Sequence, residues 1–96
     1  MYIVSTTFVV EPSVHGQWYE FFTTKYIPTL AASRVVFTRV LNETSDGHYT
    51  YSLQVEVPDI AQYQTYKSTQ LAECLEFCAS MFGEKVLHFT TLLKKI

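Results

Sequence analysis

Basic residues are few and scattered. Seven Lys and Arg stand against nine Asp and Glu, for a formal net charge of −2, and only Lys94 and Lys95 are neighbours. A surface that grips phosphates needs clustered cations, so neither nucleic acid nor an anionic membrane is an expected partner. Cysteine is equally sparse. Cys74 and Cys78 make up neither a disulfide framework nor a zinc-binding spacing. No apolar run is long enough to cross a bilayer. The opening MYIVSTTFVV lacks a basic stretch before its apolar residues, so it reads as a strand rather than an export signal, and a reducing cytoplasm is the expected setting. Among His15, His48 and His88 there is no i, i+4 helical pair, and no carboxylate stands at ligand spacing. No metal and no cofactor are expected. Repeats, low-complexity segments and linkers are also missing.

What is present is enough for one folded domain. Ninety-six residues, 48% hydrophobic and 17% charged, suit a single globular unit that needs no staples. Residues 2–10 alternate: Tyr2, Val4, Thr6, Phe8 and Val10 share one face of a strand. Glu11-Pro12-Ser13 ends it, with Ser13 as the expected N-cap of a helix. Over 13–31 the period changes to three and four, and Val14, Trp18, Phe21, Phe22, Tyr26 and Leu30 fall on one stripe. Pro28 cannot donate to the Thr24 carbonyl, which predicts a kink or restart.

Residues 34–42 and 48–57 read as two strands. Tyr49, Tyr51, Leu53, Val55 and Val57 form one face of the second, and the intervening Asp46-Gly47 predicts an antiparallel hairpin. Asp59 and Gln62 make a capping-box pattern. They open a helix whose stripe is Ile60, Tyr63, Lys67, Leu71, Cys74, Cys78 and Phe82, with a possible break over 67–70 and Gly83 at its end. Residues 85–93 read as the last strand. The order β-α-β-β-α-β predicts an α+β, ferredoxin-like fold: a four-stranded antiparallel sheet with two helices on one face.

Several motifs in register, His15-x-x-Trp18, Ile27-Pro28, Tyr63-x-x-Tyr66 and above all FGEKVLHFTTLL at 82–93, resemble a small bacterial family. It is a domain-of-unknown-function family with a ferredoxin-like fold, similar in architecture to dimeric α/β-barrel proteins. The resemblance covers nearly the whole chain and implies the fold and a homodimer, but no activity. Two positions depart from it: relatives often carry His where Tyr26 stands and Arg where Thr90 stands. A ligand held by those residues in relatives is in doubt here.

The residues themselves offer four ligand-binding candidates: His15, Trp18, Tyr26 and His88. A neutral imidazole can bind a ligand or move a proton near neutral pH, and Trp18, Phe21, Phe22 and Tyr26 could line a pocket for a flat apolar ligand. The same spacing is what a core-facing helix needs, and core is the better reading. Cys74 and Cys78 read as small core hydrophobes. Ser5, Thr7, Thr50, Ser52, Gln54, His88 and Thr90 are expected on the open sheet face. Apolar Val36, Val40, Val86 and Leu92 are expected on the edge strands, and together these surfaces suggest a two-fold homodimer formed sheet to sheet or edge to edge. Tyr2, Tyr49 and Tyr51 superficially suit base stacking, but they point toward the helices and the RNA-binding sequence pattern is missing.

Two functions follow. The first is a homodimeric binding or structural module. The alternative is a cofactor-poor enzyme of the dimeric α/β-barrel type, oxygenase- or haem-degradation-like, in which His15, Trp18 and His88 position an aromatic or tetrapyrrole ligand.

Overall fold

The computed structural model describes residues 1–30, 34–41 and 47–96. Its strands are β1 (Tyr2–Val10), β2 (Arg34–Arg39), β3 (Tyr49–Val57) and β4 (Val86–Lys94), and all neighbours pair antiparallel in the order β2-β3-β1-β4. The helical segments cover one face of this sheet, completing the ferredoxin-like βαββαβ architecture. The expected turn over 43–46 lies outside the described residues; Gly47, just after it, has φ +76.

Register explains which residues meet. On the helix side, residues opposite one another form rows across the sheet. One row runs His88, Phe8, Tyr51, Arg39; the next runs Thr90, Thr6, Leu53, Phe37. The expected positions of His88 and Thr90 on the open face are therefore corrected. Val86 pairs with Val10, which carries every second residue of β4 to the helix side. Thr90 Oγ1 lies 3.1 Å from the buried Thr6 hydroxyl, and the His88 ring approaches Phe8 at 6.5 Å.

The first helical segment is not one α-helix. A 3-10 turn at Pro12–Val14 leads into α1 (His15–Phe21), then a π turn at Phe22–Tyr26 and a 3-10 turn at Ile27–Thr29. The restart expected at Pro28 is built this way: the Ile27 N–H donates to the Phe22 carbonyl, five residues back, and the chain tightens around the proline. The segment ends at Leu30, which is extended (ψ 117), one residue short of the expected boundary. Ser13 does not cap it; its hydroxyl donates to the Glu11 carboxylate at 2.9 Å. Backbone holds the start instead, with Glu11 N–H donating to the Lys85 carbonyl at 2.9 Å and Val14 N–H to the Glu11 carbonyl.

The second segment comprises α2 (Ile60–Tyr66), a π turn at Lys67–Leu71 and α3 (Ala72–Phe82). Asp59 caps it, accepting the Gln62 N–H at 2.8 Å. The break falls where the sequence predicted one, but its form shifts the stripe. A π turn advances five residues, so the buried side chains are Tyr66, Leu71, Cys74, Cys78 and Phe82. Ile60 and Lys67 are exposed, and the core residue Tyr66 replaces them. Gly83 ends α3 with φ +56 and ψ −132, a backbone region open to glycine rather than the left-handed helical form expected.

The core is aromatic at its centre. Trp18 is wholly buried and lies 4.7 Å from the Phe22 ring, 5.4 Å from Phe8 and 5.2 Å from Tyr51. Truncating a buried Trp costs about 3–5 kcal/mol through lost burial and the cavity left behind. Trp18→Ala is therefore expected to melt far below the wild type or to be recovered unfolded. Thermal denaturation followed by circular dichroism checks it; a melting temperature close to wild type would show that Trp18 carries little of the packing.

Candidate functional site

His15 is the first residue of α1, and its place follows from the rows below it. β1 ends at Val10, beside Tyr49 of β3. The 3-10 turn reverses the chain, so α1 runs back over the sheet with His15 above Tyr49. The imidazole stacks on the Tyr49 ring, centroids 3.7 Å apart and planes within 9°. Its Nε2 lies 2.7 Å from the Tyr51 hydroxyl. Either Tyr51 O–H donates to a bare Nε2, or a protonated Nε2 donates to the phenol oxygen.

Arg39 joins this group from β2, opposite Tyr51 in the sheet. Its guanidinium sits 4.9 Å from the centroid of the Tyr49 ring, a cation–π contact. Among the described residues no carboxylate pairs with it. Tyr19, one turn along α1 from His15, and Phe37 of β2 complete a crevice of about 310 Å³ lined by His15, Tyr19, Phe37, Thr38, Arg39 and Tyr51. Phe37 and Tyr51 are nearly parallel at 5.2 Å.

Electrostatics favours the uncharged imidazole. Partial burial, and then the nearby Arg39 charge, lower the His15 pKa from its ordinary value of 6.5. Burial raises the Tyr51 pKa against the opposing pull of Arg39. Near neutral pH the pair is a neutral base beside an intact phenol, next to a permanent cation. It can accept or donate hydrogen bonds and hold an anion.

The other sequence-derived candidates lie elsewhere. Trp18 and Tyr26 are core residues. Among the described residues the indole N–H of Trp18 meets no oxygen or nitrogen acceptor; its polar neighbour is the Cys78 sulfur. The Tyr26 and Tyr66 hydroxyls lie 3.1 Å apart and join the two helical segments, and burial drives the Tyr26 pKa far above the phenol range. Cys74 and Cys78 are free and buried. Their shared hydrogen bond, then burial, push Cys74 well above the ordinary thiol value, while the same bond lowers Cys78 against the opposing effect of burial.

His88 does not meet His15. Phe8 lies between the two strands that bear His88 and Tyr51, so the histidines flank the aromatic core. Tyr51 and Arg39 escaped the sequence reading as site residues because their meeting depends on hairpin register. The only signal was the phase of the Tyr49/Tyr51 alternation. A second groove of about 480 Å³ lies between α1 and α3, beside Phe21, Phe77 and Met81. Among the described residues no cluster of three His, Cys, Asp or Glu could hold a metal ion, and no helix is long and apolar enough to cross a membrane.

The family profile described as Domain of unknown function (DUF4286) matches residues 1–96. The chain belongs to the DUF4286 family. No curated protein matches the sequence. Among solved structures, this DUF4286 domain is similar to an ethyl tert-butyl ether d (ethd) family protein from Bacillus halodurans, with a TM-score of 0.68 and 11% sequence identity over 100% of both chains. At that identity the likeness is one of fold.

Two measurements probe these groups. A ring-proton NMR titration of His15 is expected to give a midpoint below 6.5, and Arg39→Gln should move it partway back up. An unfolded chain takes up the proton at higher pH than the folded one, so His15 contributes less to stability as pH falls from about 6.5 through the folded midpoint. For the buried tyrosine pair, Tyr26→Phe should cost about 1–3 kcal/mol, since it strands the Tyr66 hydroxyl. Adding Tyr66→Phe should cost less than the two single changes together. Urea unfolding of the four proteins measures the difference.

Proposed function

We propose that this DUF4286 domain works as a bacterial, cytoplasmic, homodimeric binding or structural module, and that a second copy covers its open sheet face. The observation that carries the reading is the state of β4. It pairs with β1 along its whole length, yet every residue after Val86 is exposed. On the open face Leu87 and Phe89 are 57% and 60% accessible, with Leu93 beside them. They adjoin Val9, Thr7 and Ile3 of β1. On the helix side His88, Thr90 and Leu92 also remain solvent-accessible, Leu92 at 36%. An edge strand partly exposed on both faces, with large apolar side chains, invites a partner.

The size of the face supports a second copy. Three strands of nine residues and one of six present about 540 Å² per subunit, from strand spacing and rise. Two such faces bury about 1,100 Å², just above the roughly 1,000 Å² that a specific two-fold interface needs. Polar Ser5, Thr7, Thr50, Ser52 and Gln54 would lie at its middle and the apolar β4 side chains to one side, an arrangement in keeping with a dimeric α/β barrel. Cytoplasmic placement is supported by the two free buried thiols.

The enzyme alternative, oxygenase- or haem-degradation-like on an aromatic or tetrapyrrole ligand, has only the fold likeness behind it, and one fold hosts many chemistries. The separation of His15 from His88 weighs against both gripping one ligand within a subunit.

Multi-angle light scattering at roughly tens of micromolar, a concentration suited to a specific interface of modest affinity, is expected to give twice the 11.1 kDa chain mass. Phe89→Arg, which sets like charges across the two-fold interface, is expected to give a folded monomer. A monomeric wild type would overturn the reading.

A further inference from the structure

We infer that the crevice at the N-terminal end of α1 binds a small planar aromatic carboxylate, with Arg39 engaging the carboxylate and the rings of Tyr19 and Phe37 holding the flat body. The site lies under α1 on the helix side of the sheet, at the β2 edge, and does not depend on the dimer proposed above.

Three observations converge on this ligand class. The first is the cation. Arg39 is held in place over the Tyr49 ring, and it brings a planar fork of five donors to the lining of the crevice. An arginine can bind a carboxylate through two parallel hydrogen bonds.

The second is the wall. Tyr19 lies 6.4 Å from Phe37 and 5.8 Å from Tyr51, centroid to centroid. Phe37 and Tyr51 stack at 13°. These aromatic surfaces suit a ring better than a branched aliphatic body, and the volume of about 310 Å³ sits at the small end of ligand pockets.

The third is the paired hydrogen-bonding unit beside the cation. His15 and Tyr51 are fixed to one another at 2.7 Å, and His15 is clamped flat on Tyr49. A preorganised imidazole–phenol pair can give or accept one hydrogen bond with little ordering cost, which suits a ring hydroxyl or the second carboxylate oxygen. The groove between α1 and α3 offers no comparable set: its charged lining, Glu20 and Lys25, comprises opposite signs on flexible stems.

The probes are benzoate and 4-hydroxybenzoate, with benzamide and cyclohexanecarboxylate as controls, titrated into the full chain and followed by NMR. The two aromatic acids are expected to cause saturable shifts at His15, Tyr19, Arg39 and Tyr51. Benzamide, which lacks the charge, should bind at least about tenfold more weakly, the scale of one charge-assisted hydrogen bond. Cyclohexanecarboxylate, which lacks the flat ring, should also bind more weakly. Arg39→Gln should reduce benzoate binding by a similar factor while leaving melting temperature and molecular mass unchanged. Arg39→Lys should recover only part of it. The inference is overturned if no saturable shift appears at millimolar ligand, if either control binds as tightly as benzoate, or if Arg39→Gln binds benzoate like the wild type. The mass of each protein is read separately, so a monomeric wild type that still binds benzoate would fail the dimer proposal alone.

Discussion

The contact on which the remaining architecture depends is Trp18 against Phe8. It sets α1 over the centre of the sheet, in line with the row of Phe8 and Tyr51. With that fixed, one helical turn toward the N-terminus places His15 on Tyr49, and one turn onward seats Phe22 against Phe8 and Phe37. The crevice is thus a by-product of core packing. Its histidine is held by the same helix that closes the hydrophobic layer, so its position is as rigid as the core beneath it.

Periodicity carried most of the fold into the sequence. β1 and β3 alternate cleanly, and the stripe of Trp18, Phe22 and Tyr26 is an ordinary helical face, so their inward residues could be named before any coordinates. The second stripe held from Leu71 onward and missed at Ile60 and Lys67 for an identifiable reason. A π turn inserts one extra residue between Tyr66 and Leu71, and a count at 3.6 residues per turn continued through it loses phase. Threonines and serines nearby signalled an interruption but not its kind. Thr65 accepts side-chain bonds at its carbonyl from Ser68 and Thr69, local competition that accompanies an irregular turn.

β4 was ambiguous for a different reason. Val86 and Leu92 are apolar in one phase; Leu87, Phe89 and Leu93 are apolar in the other. Alternation cannot choose a face when both phases are apolar, and pairing with β1 decides it. That pairing turned His88 and Thr90 toward the helices and put Leu87 and Phe89 outside. The crevice was the least legible part: His15 stood out, but its partners Arg39 and Tyr51 come from two strands, and only their pairing register brings them together.

β1, the earliest strand in the chain, is central in the sheet, and its two neighbours are β3 and the distant β4. Tyr2 pairs with Lys94, nearly the whole chain away. The entropy of closing so long a loop must be overcome before that pairing contributes stability, so assembly should be slow for a domain this small. During synthesis, β1 would present an unpaired edge until β3 emerges and a second unpaired edge until β4 does. The same central strand that organises the finished sheet is therefore the segment most exposed to wrong pairing while the chain is incomplete.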